Sequence, residues 1–311
     1  MKILVTGGAG FIGSHIVDAF LAQGHEVCVV DDLSSGSRTN LPDQVRFHEI
    51  DIRDAGLLEV FEEEKPEVVS HQAARANVRE SFLEPQLYAD VNVVGSVNVL
   101  ECCRKVGVRK VIYASTGGAV YGAPQHLPVS EEHPINPLDP YGASKHHVEH
   151  YLKIYSDSYG VAFTALRYPN VYGPRQDPLG EAGVVAIFTG KLLRGDPPVI
   201  NGSGEQERDF VHVSDVALAN VAALEKGDGE IVNVGSGRGT SVNTIYSMLA
   251  SLTGGPENVE HGPAKMGEVF RIYLNAERAR MLLEWTPQVS LRDGLASTVD
   301  YFRARSAEVL S

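Results

Sequence analysis

KILVTGGAGFIG, residues 2–13, is the stretch that decides the fold of this chain. Residues 2–6 form a short apolar run that is typical of a buried strand, and residues 11–23 repeat apolar side chains at helical spacing. Glycines stand between them at positions 7, 10 and 13, the spacing at which a strand turns into a helix around a dinucleotide pyrophosphate. The stretch therefore predicts a strand, a phosphate-binding turn and a helix.

Each glycine of this turn has its own expected task. Gly7 permits the tight turn, Gly10 lets the pyrophosphate approach the backbone, and Gly13 lets the helix pack closely on the strand. The phosphates are expected at the helix N-terminus, near Phe11 and Ile12, because free N–H groups and the helix dipole favour negative charge there.

Acidic residues follow the next two predicted strands. Asp31 ends the strand over residues 26–30, 18 residues after Gly13, and is placed to hold an adenosine ribose. Its charge would repel a 2′-phosphate and the next arginine is Arg38, so NAD is expected rather than NADP. Asp51 and Ile52, after the third strand, are placed to contact the adenine.

Strands and helices continue to alternate through the first half of the chain. Further apolar runs occupy residues 45–50, 66–70, 110–114 and 162–167, and helical patterns separate most of them, notably over 88–106 and 140–155. This order favours an α/β fold with a Rossmann-type doubly wound parallel sheet and ligands at the carboxyl ends of its strands.

The alternation becomes less regular after Tyr168. We therefore expect an NAD-binding domain over residues 1–168 and a smaller, mixed α/β substrate-binding portion over residues 169–311. Because no low-complexity linker separates the two, strands and helices of the second portion should return to the first.

The bulk composition excludes several classes of protein. With 43% hydrophobic and 22% charged residues the chain should be globular, and a net charge of −13 disfavours both nucleic acid and anionic membranes. No apolar run is long enough to span a membrane, and the N-terminal run breaks into glycines before a signal-peptide core could form. Three cysteines without metal spacing and scattered histidines indicate buried thiols, no metal site and a cytoplasmic location.

A tyrosine and a lysine four residues apart are candidates for catalysis. Tyr141 and Lys145 lie in a segment that begins like a helix, with Asp139 as an N-cap and Pro140 at the first helical position. Both side chains would face the same way. The lysine ammonium and a bound nicotinamide cation would favour the phenolate and lower the pKa of Tyr141, which could then act as a general base.

At this point the chain resembles the extended short-chain dehydrogenase/reductase family, and within it the UDP-glucose 4-epimerases. The resemblance spans nearly the whole chain. The residues that carry it are TGGAGFIGSH at 6–15, Asp31 and Asp32, HQAA at 71–74, Asn92, ASTGGAVYG at 114–122, YGASK at 141–145, LRYPNVYGPRQ at 166–176, RDFVHVSD at 208–215 and NVGSG at 233–237.

The resemblance implies a reaction and the residues that perform it. NAD would accept a hydride from C4 of a UDP-hexose while Tyr141 takes the 4-hydroxyl proton, and a transient 4-keto sugar would then regain the hydride on its other face. Lys145 would hold the nicotinamide ribose, Ala73 and Asn92 would support the cofactor, and Tyr168 would lie near the nicotinamide.

The resemblance also implies a substrate side and a partner. Asn170 and Arg208 match contacts to the diphosphate, and Lys265 stands where an arginine is usual, with Glu268 in the same segment. Ile272 matches a pocket position whose bulk helps to decide whether an N-acetyl group fits. The helical patterns at 88–106 and 140–155 carry apolar residues on more than one face, which predicts a homodimer.

One position departs from the family pattern. The usual Ser or Thr of the catalytic hydroxyl falls on Gly117, so we expect Thr116 to carry this role. Three alternatives stay open: Ser115, which should point to the opposite face of the strand, a water in the space left by Gly117 and Gly118, or Tyr141 acting alone.

Rival functions share much of this pattern. Relatives that act on UDP-N-acetylglucosamine or UDP-glucuronate would use the same catalytic residues. A nucleotide-sugar 4,6-dehydratase would need an acid pair next to its threonine, where this chain has Gly117 and Gly118. A non-catalytic NAD-binding regulator would be expected to lack the Tyr141 and Lys145 pair.

Overall fold

A seven-stranded sheet lies at the centre of the computed structural model, which describes residues 1–178, 183–264 and 269–309. In chain order the strands are β1 (Lys2–Thr6), β2 (Glu26–Asp31), β3 (Arg46–Glu49), β4 (Val68–His71), β5 (Lys110–Thr116), β6 (Ala162–Tyr168), β7 (Asn170–Tyr172), β8 (Val199–Asn201), β9 (Glu207–Arg208), β10 (Phe210–His212), β11 (Glu230–Asn233), β12 (Thr240–Ser241), β13 (Glu260–Gly262) and β14 (Arg271–Ile272).

Helices connect most of these strands. They are α1 (Phe11–Ala22), α2 (Leu57–Glu64), α3 (Val78–Leu83), α4 (Pro85–Tyr88), α5 (Ser96–Val106), α6 (Pro140–Tyr159), α7 (Val184–Leu193), α8 (Val213–Ala223), α9 (Val242–Thr253), α10 (Glu277–Leu282) and α11 (Leu291–Val309), with a 3-10 helix at Arg38–Asn40 and a π-helical segment at Ala89–Gly95.

The order of the central sheet is β11-β6-β5-β4-β1-β2-β3, and every neighbouring pair is parallel. Strand order reverses beside β1, because β2 lies on one side of it and β4 on the other. Such a switch point is where open parallel sheets bind ligands, at the carboxyl ends of the strands. The predicted Rossmann-type fold is confirmed.

Both faces of the sheet are buried. Ile3 and Val5 of β1 belong to an apolar cluster with Ile16 of α1, whereas Leu4 between them belongs to a second cluster with Leu152 of α6. Successive residues of a strand point to opposite faces, so a strand covered on both sides is apolar throughout. This explains why β1 appears in the sequence as an unbroken apolar run.

The chain beyond residue 168 adds a strand to the central sheet and also forms a separate apolar cluster. Strand β11 pairs with β6 as an edge of the central sheet, and helices α7, α9 and α11 enclose a separate apolar cluster. Short sheets made of β10-β7, β12-β9-β14 and β13-β8 lie outside the central sheet. The division into domains at residues 168 and 169 stays a prediction.

The three cysteines are free and buried, and burial raises the pKa of each thiol. Within residues 1–178, 183–264 and 269–309, no helix is long and apolar enough to cross a membrane. Over the same ranges, no group of three or more His, Cys, Asp or Glu side chains is arranged to hold a metal ion. The cytoplasmic location stays a prediction.

Candidate active site

The glycine turn after β1 is built by close backbone contacts. Gly7 has φ +67°, and a Cβ there would lie 2.6 Å from the backbone nitrogen of Ala73. A Cβ at Gly13 would overlap the carbonyl oxygen of Gly7, whereas one at Gly10 would meet only that oxygen, at 3.3 Å. The turn itself thus needs Gly7 and Gly13, and Gly10 leaves its backbone open to a ligand.

Helix α1 begins in a way that suits an anion. Gly10 occupies the N-cap position and offers no side-chain acceptor to the first turn, which starts at Phe11 and Ile12. Uncapped N–H groups at a helix N-terminus and the helix dipole favour a phosphate. The turn therefore fits the pyrophosphate of NAD.

Asp31 stands at the end of β2, beside the glycine turn. Its two carboxylate oxygens accept hydrogen bonds from the backbone N–H groups of Ala9 and Leu33, each at 2.9 Å. Burial raises the pKa of this carboxyl, and the two backbone bonds oppose that shift. Asp31 thus helps to hold the glycine turn, in addition to any contact with a ribose.

The two residues predicted to contact the adenine have different surroundings. The Asp51 carboxylate is bound by the guanidinium of Arg53, at 2.6 Å, which lowers its pKa. Ile52 is buried, and its carbonyl oxygen accepts a hydrogen bond from Asn98 at 2.8 Å. Their contact with adenine stays a prediction.

Asn92 links the loop after β4 to α6. Its amide donates to the carbonyl oxygen of Arg75 and to the hydroxyl of Ser144, both at 2.9 Å, and its Oδ1 accepts from the N–H of Arg75 at 2.8 Å. Ala73, in the same loop, donates its N–H to the hydroxyl of Thr6 at 3.3 Å. Asn92 thus connects the cofactor loop to the helix that carries Tyr141 and Lys145.

Helix α6 presents the Tyr/Lys pair as the sequence predicts. The carboxylate of Asp139 accepts from the N–H of Gly142 at 2.7 Å, which confirms the predicted N-cap. The Lys145 ammonium donates to the carbonyl oxygen of Ala114 at 2.7 Å, and its burial lowers its pKa to about 7. The carboxylate of Glu149 opposes this shift.

The Thr116 side chain lies within reach of a hydrogen bond to the Tyr141 phenol. In the chain alone, burial raises the pKa of Tyr141 to about 12, and the bond to Thr116 opposes this only in part. The expected fall in the pKa of Tyr141 therefore needs a positive charge that the protein alone does not supply, such as the bound nicotinamide cation.

Ser115 and Gly117 flank Thr116 and have other surroundings. The Ser115 hydroxyl donates to Glu149 at 2.7 Å, on the side of β5 that α6 covers. A Cβ at Gly117 would overlap the side chain of Leu274, so Leu274 fills the space that a water was expected to take there. A Cβ at Gly118 would make ordinary van der Waals contacts with the Thr116 hydroxyl at 3.8 Å and with Oδ1 of Asn170 at 3.9 Å.

A small cleft opens next to Thr116. Its lining comprises Gly117, Gly118, Pro169, Asn170, Asp209, Ile272 and Leu274. Ile272 is buried and pairs with Arg208 across β14 and β9. The cleft therefore unites Asn170 and Ile272, and Arg208 is the strand neighbour of Ile272. Lys265 and Glu268 lie outside the described residues.

Two acids of this region went unnoticed in the sequence. Asp209 is buried in the cleft wall, where its carboxylate accepts from the N–H groups of Ser236 at 2.9 Å and Leu274 at 3.1 Å. Glu149 is buried one turn beyond Lys145 on the same helix. Spacing alone offered a signal for Glu149, since it lies on the helix face of Tyr141 and Lys145.

Tyr168 and the histidines have ordinary hydrogen-bonding partners. The Tyr168 hydroxyl accepts from Asn220 at 2.8 Å, and Tyr168 pairs with Thr116 across β6 and β5. His71 lies between the hydroxyls of Thr6 and Ser96, at 2.6 and 2.8 Å. Burial lowers the pKa of His71 to about 3, so it is neutral at physiological pH.

Comparisons with known proteins agree with this arrangement. The sequence model described as the NAD dependent epimerase/dehydratase family matches residues 3–235. A UDP-glucose 4-epimerase from Mycolicibacterium smegmatis is 46% identical over 98% of this chain and 100% of its own length.

Two solved structures extend the likeness to the fold. A UDP-glucose 4-epimerase from Thermotoga maritima with UDP-glucose superposes with a TM-score of 0.96 at 47% identity, covering 98% of this chain and 100% of that one. A UDP-glucose 4-epimerase from Thermus thermophilus in complex with NAD gives a TM-score of 0.93 at 45% identity, covering 97% and 99%.

Proposed function

The chain belongs to the NAD-dependent epimerase/dehydratase family, and on this premise we propose that it interconverts UDP-galactose and UDP-glucose by inverting C4 of the hexose. The observation that carries the proposal is that the Thr116 side chain lies within reach of the Tyr141 phenol, beside the cleft that Asn170 and Ile272 line. The protein is thus an NAD-dependent isomerase.

When bound, NAD accepts a hydride from C4 and returns it to the other face of a transient 4-keto sugar. Tyr141 takes the proton of the 4-hydroxyl during oxidation and gives it back during reduction. Thr116 orients the phenol through the hydrogen bond between them. Lys145 uses one of its three N–H groups on Ala114 and offers the others to the nicotinamide ribose.

The remaining assignments follow the geometry of the site. Residues 1–168 hold NAD through the glycine turn, Asp31 and Asn92, and residues 169–311 supply most contacts to the nucleotide sugar. Arg208 suits a phosphate because its guanidinium can donate two parallel hydrogen bonds.

The cleft argues against a 4,6-dehydratase. The two residues after Thr116 are glycines and cannot supply the acid pair that the elimination needs. The acid in the cleft wall, Asp209, has its carboxylate bound by backbone N–H groups of Ser236 and Leu274. Sugar inversion therefore fits this site better than elimination of water.

The experiment that tests the proposed function needs no added cofactor. Purified protein is incubated with UDP-galactose, and the anomeric proton signals of the sugar are followed by NMR. Appearance of UDP-glucose would establish both the epimerase and a retained NAD. Persistence of UDP-galactose after NAD is added would contradict the proposal, and the N-acetyl and glucuronate sugars, which Ile272 leaves open as substrates, would then be tested.

Replacing Thr116 with alanine tests which hydroxyl assists Tyr141. We expect kcat to fall by about 10- to 100-fold, because the phenol loses its hydrogen-bonding partner, with a small change in KM. Thr116→Ser keeps the hydroxyl and should restore most of the turnover. Full activity in Thr116→Ala, measured in the same NMR assay, would mean that Tyr141 works without this hydroxyl.

We also propose that the protein forms a homodimer through α3, the π-helical segment and α6. These elements pack on one another. They expose large apolar side chains, namely Val78, Phe82, Leu83, Val94, Tyr151, Ile154 and Tyr159. Apolar side chains gathered on one face favour burial against a second copy.

A charge placed on this face should separate the two copies. We expect Phe82→Glu combined with Ile154→Glu to change the mass in solution from twice the chain mass to one chain mass, measured by light scattering after size exclusion. Met281→Glu is the matched control, because Met281 is equally exposed but lies on α10, away from this face. A wild-type mass of one chain would refute the dimer.

A further inference from the structure

The buried carboxylate of Glu149 connects three elements. They are α6, which carries Tyr141, β5, which ends at Thr116, and β6, which ends at Tyr168. Glu149 of α6 accepts hydrogen bonds from Ser115 of β5 at 2.7 Å and from two nitrogens of Arg167 of β6, at 2.8 and 2.7 Å. A fourth bond, at 2.9 Å, joins it to Nδ1 of His146. We call Glu149, Ser115, Arg167 and His146 the Glu149 junction.

The members of the junction are next to the proposed catalytic residues in the chain. Ser115 precedes Thr116, Arg167 precedes Tyr168, and Glu149 follows Lys145 by one helical turn. Ser115 and Arg167 also pair directly across β5 and β6. Any shift of α6 relative to β5 must therefore break a bond of the junction or move Thr116 relative to Tyr141.

Three members of the junction are buried, whereas His146 is partly exposed, and the network continues from Arg167. Glu149, Ser115 and Arg167 are each no more than 3% exposed. The Arg167 guanidinium also donates to the Tyr121 hydroxyl at 2.8 Å, and that hydroxyl donates to Asn233 of β11 at 2.7 Å. The network thus holds both ends of the loop that leaves β5 through Gly117 and Gly118.

A buried ion pair is costly to desolvate and adds little stability unless all its bonding groups are satisfied. In the junction the pair is bidentate and each carboxylate oxygen accepts two bonds. Such a pair contributes more to a defined geometry than to stability. In this protein it fixes the position of α6 relative to the end of β5.

We propose that Glu149 is a positioning residue, which through Ser115 fixes the end of β5 against α6 so that the Thr116 hydroxyl meets the Tyr141 phenol. The proposal rests on the proposed function for its kinetic consequence, although not for its structural one. Ser115, which was one of the candidates for the catalytic hydroxyl, thereby takes part without contacting substrate.

A double-mutant cycle between Ser115 and Thr116 separates positioning from general stability. Ser115→Ala removes one arm of the junction and leaves the Glu149–Arg167 pair in place, so the holoenzyme should fold. We expect kcat to fall about fivefold with KM nearly unchanged. In a Thr116→Ala background the same change should have no further effect, because no hydroxyl is left to position.

Two kinetic outcomes would overturn the proposal: an unchanged kcat in Ser115→Ala, or an equal loss of kcat in the presence and absence of the Thr116 hydroxyl. The matched control is Ser81→Ala, which also removes a buried serine hydroxyl, in this case from α3, where it donates to the carbonyl oxygen of Val78 at 2.6 Å. This control should keep wild-type kcat.

A second measurement does not depend on turnover. Crystal structures of the NAD complexes of wild type and Ser115→Ala report the distance between the Thr116 hydroxyl and the Tyr141 phenol. We expect that distance to lengthen in Ser115→Ala, so that the hydrogen bond is weakened but not lost. An unchanged distance would refute the positioning role of Glu149, even if the protein proved to act on another substrate. If wild type did not turn over UDP-galactose but the distance lengthened in Ser115→Ala, only the proposed function would be refuted.

Discussion

Replacing Tyr141 with phenylalanine is expected to lower kcat by about 10²- to 10⁴-fold, the usual contribution of a positioned general acid–base group. The phenol is the proposed group that exchanges a proton with the 4-hydroxyl, and the neighbouring Ser115 hydroxyl is not available for this role because it donates to Glu149. The aromatic ring is kept, so packing of α6 should not change. Turnover is measured by NMR with UDP-galactose, and NAD content is measured on the same sample.

The control for this change is Tyr159→Phe, at the far end of the same helix, where the side chain is exposed. It loses the same hydroxyl and should retain wild-type kcat. Tyr141→Phe should also retain its NAD, which would show that the loss lies in proton transfer and not in cofactor binding. A kcat within tenfold of wild type would exclude Tyr141 as the general base.

The second large effect is expected in the glycine turn, where Gly10→Ala should weaken NAD binding and Gly13→Ala should destabilise the fold. Gly10→Ala places a methyl group where a pyrophosphate should approach, although within the protein this group meets only the carbonyl oxygen of Gly7, at 3.3 Å. We expect normal folding and at least a tenfold loss of NAD affinity, equal to about 1.4 kcal/mol. Gly13→Ala overlaps that carbonyl oxygen directly, so it should disturb the turn itself and lower the melting temperature.

The measurements are NAD released per chain on acid denaturation and thermal unfolding of the cofactor-free protein. Gly10→Ala should match wild type in the cofactor-free melting temperature, and Gly13→Ala should not. If Gly10→Ala retained a full complement of NAD, the phosphates would have to bind elsewhere than at the start of α1.

Local patterns were enough to predict the sheet, the glycine turn and the helix that carries Tyr141, because each depends on residues close together in the sequence. The N-cap at Asp139 and the buried run of β1 are of this kind. The predicted helix over 88–106 is continuous, but its residues Ala89–Gly95 form a π-helical segment between α4 and α5. Asn92 lies in the π-helical segment, with its side chain bound to a loop and to α6, and helical spacing cannot reveal such contacts.

The catalytic hydroxyl shows where local reasoning reaches its limit. Strand alternation placed Ser115 and Thr116 on opposite faces, and the bond from Ser115 to Glu149 agrees with that. The glycine at 117 is explained by Leu274, which is distant in the sequence and fills the space beside it. Leu274 therefore takes the space beside Gly117, which only tertiary contacts reveal, and a water beside Gly118 stays one of the alternatives.

The pairing of β11 with β6 has a consequence for biosynthesis. Residues Ala162–Tyr168 gain their outer neighbour only when Glu230–Asn233 have left the ribosome. Until then β6 presents a row of unpaired N–H and C=O groups on an apolar strand, which can pair with another unfinished chain. The nascent protein thus has an aggregation-prone edge while the residues between β6 and β11 are being made, and a chain released before β11 would keep it.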